Sequence, residues 1–481
     1  MRVIPPTSSR ICSALELVTF TSAPSAAAAS RRSRRLSSRQ DNVRAAAAWV
    51  LERTLASMAP ADSFLDSALP RFDERDQGLL REMVMGTLRW LRRLDYVIAA
   101  ASSRSFEQIE EVLRSPLRIA TYQLLFLDRV PAHAAVHEAV EQAHQLTHRG
   151  GASFVNGVLR RIARAPRLED WPVEEADFVR RLAIEKSHPD FLVARWLDRF
   201  GTARTLDLLD ANNRAKPMHL LAFRDRGGRE LLAEALIDEG LEVEPSSLSP
   251  LGLIVRRGNP LTTAAFRNGD LYVQDEASQA AALIPPPRPG ERVLDAAAAP
   301  GGKSFTLLAA EPGVRIAMSD VALARALRVR DNLRRLRRSP PLALADAGEP
   351  PFGRAAFDRV VLDLPCTGTG TLRRHPEIKW RISESEIGRL SRQALRLLEG
   401  AAPLVAPGGR LVAITCSLER EENEEVVTRF LATHPELSPL PLDEALEAPV
   451  AAGITGPGAW RILTGGDHDG FTVNVLAKSP V

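Results

Sequence analysis

The 481-residue sequence is short of the residue that most often marks a special site: it has three cysteines, Cys12, Cys366 and Cys416, and no Cys-x-x-Cys. That excludes a disulfide framework and the usual structural zinc module, and it suits a reducing compartment. No apolar run reaches the roughly 18 residues a spanning helix needs. The expectation is a cytoplasmic protein with no membrane partner and no metal. Charge of one sign is also lacking overall, the net value being +3, but arginine clusters locally, which suits a polyanionic partner.

Acids are nearly missing from Met1 to Gln40, which holds only Glu16 among many Ser, Ala and Arg residues. The composition is like that of an organellar transit peptide. A flexible extension over 1–40 is the preferred reading, since low-complexity polar sequence buries too little surface to fold. The remaining length suggests about three domains at roughly 100–200 residues each.

Residues 41–166 carry apolar positions at helical spacing throughout, with Val130-Pro131 and Gly150-Gly151 as punctuation. An all-helical domain is expected. His133, His137, His144 and His148 would share one helix face, but without a His-Glu-x-x-His order or a nearby cysteine a polar, partly exposed face is preferred to a metal site. The stretch from Val130 through His133 and His137 to Ala143, with Ala152 to Ile162, resembles the NusB-like helical fold, an RNA-binding module. Arg160, Arg161 and Arg164 close its last helix. They suit the helix dipole and phosphate contact equally.

From 167 to 268 short strands alternate with helices. Ser187 to Leu197 and Arg229 to Glu239 read as helices, Lys216 to Arg224 and Leu251 to Arg256 as strands. A small α+β domain without chemistry of its own follows.

Residues 269–481 read as an α/β unit. Arg292-Val-Leu-Asp, then Ala297-Ala298-Ala299-Pro300-Gly301-Gly302-Lys303, forms a strand, a loop and the start of a helix. The glycines let backbone approach a ligand. Asp320 ends the next strand, where an acid meets ribose hydroxyls in nucleotide-type folds. The three-glycine pyrophosphate fingerprint is missing, which favours an adenosyl ligand without a diphosphate, S-adenosylmethionine fitting best. Asp346, after a third apolar run, is placed to address the adenine amino group. The arginines 325, 328, 334, 335, 337 and 338 read as a solvated face or as an RNA contact.

Two of the three thiols end strands. Val360-Val-Leu-Asp-Leu-Pro-Cys366 and Arg410-Leu-Val-Ala-Ile-Thr-Cys416 are joined by a crossover helix in which Ser383 and Glu386 suggest a capping box. Such a unit makes neighbouring parallel strands, so Cys366 and Cys416 should face one pocket at the ligand edge. Paired thiols suit cytosine C5, which becomes nucleophilic once a thiolate adds to C6. Asp363 can hold the proton on N3 as charge develops. The second thiol has a use when the C5 proton leaves and the enzyme detaches. Spacing does not decide which cysteine attacks.

Ala299-Pro-Gly-Gly-Lys, Asp363-Leu-Pro-Cys, Thr415-Cys-Ser and Asp469-Gly-Phe, with the helical front domain, resemble the RsmB/Sun-type ribosomal RNA cytosine-5 methyltransferases over nearly the whole chain after residue 40. The resemblance implies a Rossmann-like S-adenosylmethionine-dependent methyltransferase domain, Cys416 as nucleophile, Cys366 as the thiol of product release, and Lys303 and Asp363 beside them. It implies cofactor contacts from 297–303, Asp320, Asp346 and Asp363, and ribosomal RNA, small-subunit RNA first, as partner of a monomer. The sequence departs from the family at Ala297, where the family has cysteine, at Leu364 and Thr367 in the Pro-Cys motif, and at Thr472 in place of a second phenylalanine. The same chemistry on tRNA and a non-catalytic assembly factor are the alternatives. The intact Cys366, Cys416, Asp363 and Lys303 argue against the latter, and an amino-directed enzyme would carry an Asn/Asp-Pro-Pro-aromatic stretch instead.

Overall fold

The computed structural model describes residues 42–480 apart from 58, 103, 443–445 and 447–449. Cys12 and the extension expected over 1–40 lie outside the described residues.

The helical part runs from Val43–Ala56 through Ala61–Ala68, Glu74–Ser102, Glu111–Phe126 and Ala132–Leu146 to Arg149–Arg164. Asn42 opens the first helix by accepting from the backbone N–H groups of Arg44 and Ala45, which satisfies donors the helix itself leaves open. Apolar stripes close two cores, one around Leu51, Leu80 and Leu88 and one around Val97, Leu117 and Leu159. His133, His137, His144 and His148 are all exposed. His148 caps the last helix, Nδ1 accepting from the Gly151 N–H at 3.3 Å.

The middle part is a four-stranded antiparallel sheet of β1 (Met218–Ala222), β2 (Glu242–Pro245), β3 (Gly252–Arg257) and β4 (Leu271–Val273), in the order β2-β3-β1-β4. Because β4 pairs with β1, this sheet reaches past residue 268, where the sequence reading ends the domain. Backbone pairing decides that edge, and β4 is too short to declare its partner in sequence. The helix Asp190–Asn212, kinked at Gly201, packs instead on Leu372, Ile387 and Leu418 of the catalytic part.

The catalytic sheet has nine strands. β5 (Arg292–Asp295), β6 (Arg315–Asp320), β7 (Leu342–Leu344), β8 (Phe357–Asp363) and β9 (Val405–Thr415) pair in parallel in the order β7-β6-β5-β8-β9. β13 (Phe471–Lys478) adds antiparallel to β9 and carries β12 (Ala459–Ile462), β11 (Ile454–Gly456) and β10 (Leu437–Pro439). The order reverses at β5, and in open sheets ligands bind beyond the strand ends at such a point. The crossover helix Glu384–Ala401 has half of the expected capping box. Ser383 accepts from the Glu386 N–H, but the Glu386 carboxylate turns to Arg389.

Arg359 anchors β8 from below. It is fully buried, and its guanidinium donates to Glu291 at 3.1 Å and to the carbonyls of Pro285 and Pro286 at 2.8 and 2.9 Å. Arg359→Ala would strand a buried carboxylate and two carbonyls, so an expected loss of about 3–5 kcal/mol in urea-unfolding stability checks this role.

The helical part docks on the short helix Pro376–Trp380, ten residues beyond Cys366. The Lys379 ammonium is buried, has no carboxylate partner among the described residues, and donates to Arg89 O, Ser187 O and Asn213 Oδ1 at 3.1, 3.0 and 2.7 Å. All three of its donors are used, so the charge is solvated by backbone and amide dipoles instead of water. Burial, with Arg89 nearby, pushes this ammonium well below the usual lysine range. Trp380 Nε1 donates to Leu88 O and Arg381 to Ala59 O.

Candidate active site

Both expected strand ends meet. β8 and β9 run in parallel with Asp363 opposite Ile414, which brings Cys366 and Cys416 just past the same edge, Sγ to Sγ 3.5 Å. The loops behind them are stitched by the Gly370 N–H to Cys416 O at 2.8 Å and the Gly470 N–H to Gly370 O at 2.7 Å. A Cβ at Gly370 would stand 2.2 Å from Gly470 O, so no other residue fits there. The sequence motifs Pro-Cys, Thr-Cys-Ser and Asp-Gly-Phe are thus three walls of one site.

A cavity of about 230 Å³ opens between them, lined by Cys416, Lys303, Asp363, Asp275, Arg374 and Phe471 among others. Lys303 donates to Asp363 at 2.8 Å and lies 5.2 Å from the centre of the Phe471 ring. Burial works against the Lys303 charge, but Asp363 and Cys416 outweigh it and raise its pKa. The ammonium is therefore held charged between a carboxylate and a sulfur. Cys366 opens instead on a second cavity of about 190 Å³, with Pro60, Ile378, Arg381 and Leu390. The hydrogen bond to Cys416, then burial, pushes the Cys366 thiol well above the ordinary range.

A third cavity, about 160 Å³, shares Ala297, Ala299 and Asp363 with the first and is lined also by Ala296, Asp320 and Asp346. Gly301 and Gly302 open the helix Gly302–Ala310, and Gly301 takes φ +114°, where an added Cβ would meet the Phe305 ring at 2.3 Å. Pro300, Gly302 and Lys303 line the thiol cavity, as does Ala298. Asp320 is buried and accepts from the backbone of Ala299 and Ala322 and from Arg325. Asp346 borders the same cleft, but Arg396 takes its carboxylate through two 3.1 Å hydrogen bonds, with the Gly348 N–H added at 2.8 Å. Asp295, beneath the loop, has Oδ1 buried and unpartnered, and burial pushes its carboxyl up to about 6. The donor set suits S-adenosylmethionine. The buried Asp320 and the half-buried Asp346 offer acceptors for hydroxyls and an amine, small alanines line the wall, and the cleft shares Ala297, Ala299 and Asp363 with the thiol cavity.

Sequence reasoning missed a charge cluster that is buried except for the exposed Arg374. Lys216 contacts Asp275 and, at 2.7 Å, Asp469; Arg374 reaches Asp469 at 3.1 Å and His219 reaches Asp275 at 3.3 Å. Burial opposes the Asp275 charge, yet Lys216, His219 and Arg374 together hold it well below the usual carboxylate range. These residues come from four distant segments, so no local pattern shows them. Glu422 was hidden in the run Glu419 to Glu425. It is buried and accepts from the Thr367 N–H at 2.8 Å and Thr367 Oγ1 at 2.7 Å. Burial pushes its carboxyl up to about 7 against the hydrogen bonds of Ser417 and Thr367. The arginine run after Asp320 is partly structural. Arg335 donates to Phe266 O and Leu271 O, and Arg338 pairs with Asp225, both in or beside the middle sheet.

Comparison with known proteins agrees along the chain. Residues 282–476 match the family model of the 16S rRNA methyltransferase RsmB/F, 41–164 that of the NusB family, and 188–262 a ferredoxin-like domain of RsmF/B-like methyltransferases. The chain is 35% identical over 452 residues to ribosomal RNA small subunit methyltransferase B of Pseudomonas putida, covering 91% of this chain and 98% of that one. It is 35% identical over 374 residues to a probable ribosomal RNA small subunit methyltransferase B of Bacillus subtilis, covering 76% and 82%. The crystal structure of PH0851 superposes with a TM-score of 0.75 at 27% identity, over 91% of this chain and 99% of that one.

Proposed function

The chain belongs to the RsmB/F family of 16S rRNA methyltransferases and is an S-adenosylmethionine-dependent RNA methyltransferase; on that premise we propose that it methylates C5 of a cytidine in small-subunit ribosomal RNA, with Cys416 as nucleophile. The observation that carries the reading is the pair of thiols 3.5 Å apart, one opening on the cavity that shares wall residues with the cofactor cleft. S-adenosylmethionine, when bound, supplies an electrophilic methyl group. Asp320 and the 297–302 loop would hold it, with Asp346 at the rim of the same cleft.

In the proposed sequence the Cys416 thiolate forms a bond to C6, and electron density moves to C5 and N3. N3 takes up a proton from solvent as the ring gains charge, Asp363 accepts a hydrogen bond from that N3–H, and Lys303 fixes Asp363 in place. Once Cys416 is bonded to carbon, the largest cause of the raised Cys366 pKa is weakened, while burial still favours the thiol, so Cys366 must give up its proton to solvent before it acts as base. That proton has an outlet through the outer cavity. Cys366, now a thiolate, takes the C5 proton; the Cys416–C6 bond then breaks and the ring regains its double bond. The helical part offers the RNA contact, with Arg160 and Arg164 exposed at the end of its last helix.

The test is bisulfite sequencing of small-subunit rRNA from cells with and without the gene. One cytidine should resist conversion only when the gene is present. Unchanged rRNA with a lost signal in tRNA would move the substrate to tRNA.

A further inference from the structure

Beyond attack and release by the two thiols stands the question of what keeps them 3.5 Å apart. Each follows a strand end, and loop positions after strands are free to drift unless something ties them. Two consecutive residues of the loop after Cys416 reach opposite sides of the pair. Asn423 accepts from Thr415 Oγ1 at 2.6 Å and donates to Ser417 O at 3.1 Å, gripping the residues on either side of Cys416. Glu422 accepts both the N–H and the hydroxyl of Thr367, the residue after Cys366. The two grips share a backbone, so the position of Cys366 is set relative to Cys416 through a bridge two residues long.

The other ties between these loops bypass Cys366. Thr369 Oγ1 receives the Leu418 N–H at 2.9 Å, and Gly370 N–H reaches Cys416 O. They hold the far end of the Pro-Cys loop, and the Leu364 N–H to Ile414 O at 2.8 Å holds its start, leaving the stretch beside Cys366 to Glu422. A buried carboxylate has no reason to face a backbone N–H and a hydroxyl except to hold them, since burial itself disfavours its charge.

We propose that Glu422 is a positioning residue for product release, holding Cys366 in register with the Cys416–C6 bond. The inference rests on the release role of Cys366. Its consequence is selective: although Ser417 also bonds Glu422, losing the grip should spoil release far more than methyl transfer, because Cys416 keeps its own ties on both sides through Asn423.

Single-turnover methyl transfer and release of RNA from the covalent adduct are measured side by side for Glu422→Ala, Glu422→Gln and Thr367→Val, with Cys366→Ala as control. In Glu422→Ala the ratio of release to transfer should fall about tenfold or more, the scale of a lost hydrogen bond to a charged group. Glu422→Gln should restore much of it, since its carbonyl accepts the Thr367 N–H and its amide donates to the hydroxyl. Thr367→Val removes only the hydroxyl and should lie between; it decides the matter if Glu422→Ala does not fold. An unchanged ratio in Glu422→Ala or, failing that, in Thr367→Val overturns the proposal, as does equal slowing of both steps or a Gln variant no better than Ala. If Cys366→Ala itself gathers no adduct, the release role fails; if it does and the Glu422 variants do not, only this inference fails.

Discussion

Cys416→Ala is expected to abolish methyl transfer, by on the order of 10³-fold or more, with S-adenosylmethionine affinity unchanged. The thiol lies at the end of β9 and lines the cavity with Lys303 and Asp363, while the cleft with Asp320 and Asp346 does not include it. Removing it therefore takes away the bond to C6 and leaves the cofactor contacts. Cys366 is a poor substitute, since it opens on the other cavity. Calorimetric titration with the cofactor and transfer of a labelled methyl group read the two quantities separately. Full transfer by the variant would sink the nucleophile assignment.

The second large effect is a trap. Cys366→Ala should still form the Cys416–C6 bond but lose the group that takes the C5 proton, so protein and RNA remain covalently joined. A band that survives denaturing electrophoresis should hold most of the enzyme after one turnover, and it should vanish in the Cys366→Ala/Cys416→Ala double variant. No such band under turnover conditions would count against the release role.

That both thiols face one edge was legible in the sequence because the strand-crossover-strand rule is local and directional, whereas the roles of attack and release came from the family resemblance alone. An apolar run ending in Asp363-Leu-Pro-Cys366, a helix, and a second run ending in Thr415-Cys416 leave little choice about which edge they share. The cofactor loop was legible for a similar reason, as glycines next to a strand end have few uses. What escaped was long-range. Lys216, Asp275, Arg374 and Asp469 become neighbours only when the middle sheet closes on the catalytic part. Glu422 sits among acids that look like a solvated face, and its one distinguishing mark is burial, which a charge pattern cannot show. The edge of the middle sheet was misplaced because β4 has three residues, too few for alternation to reveal what it pairs with. Asp346 lies at the expected rim, but the distant Arg396 holds its carboxylate.

The seat of Lys379 has a consequence for how a target is chosen. The segment that receives the helical part supplies Arg374 and His375 to the wall of the thiol cavity, and Ile378 and Arg381 to the outer one. On the proposed function, the separation between the helical surface and Cys416 is thus set by packing among the described residues. Such an arrangement would act as a caliper, with a cytidine selected by how far it lies from a distant hold on the RNA as well as by what surrounds it in sequence.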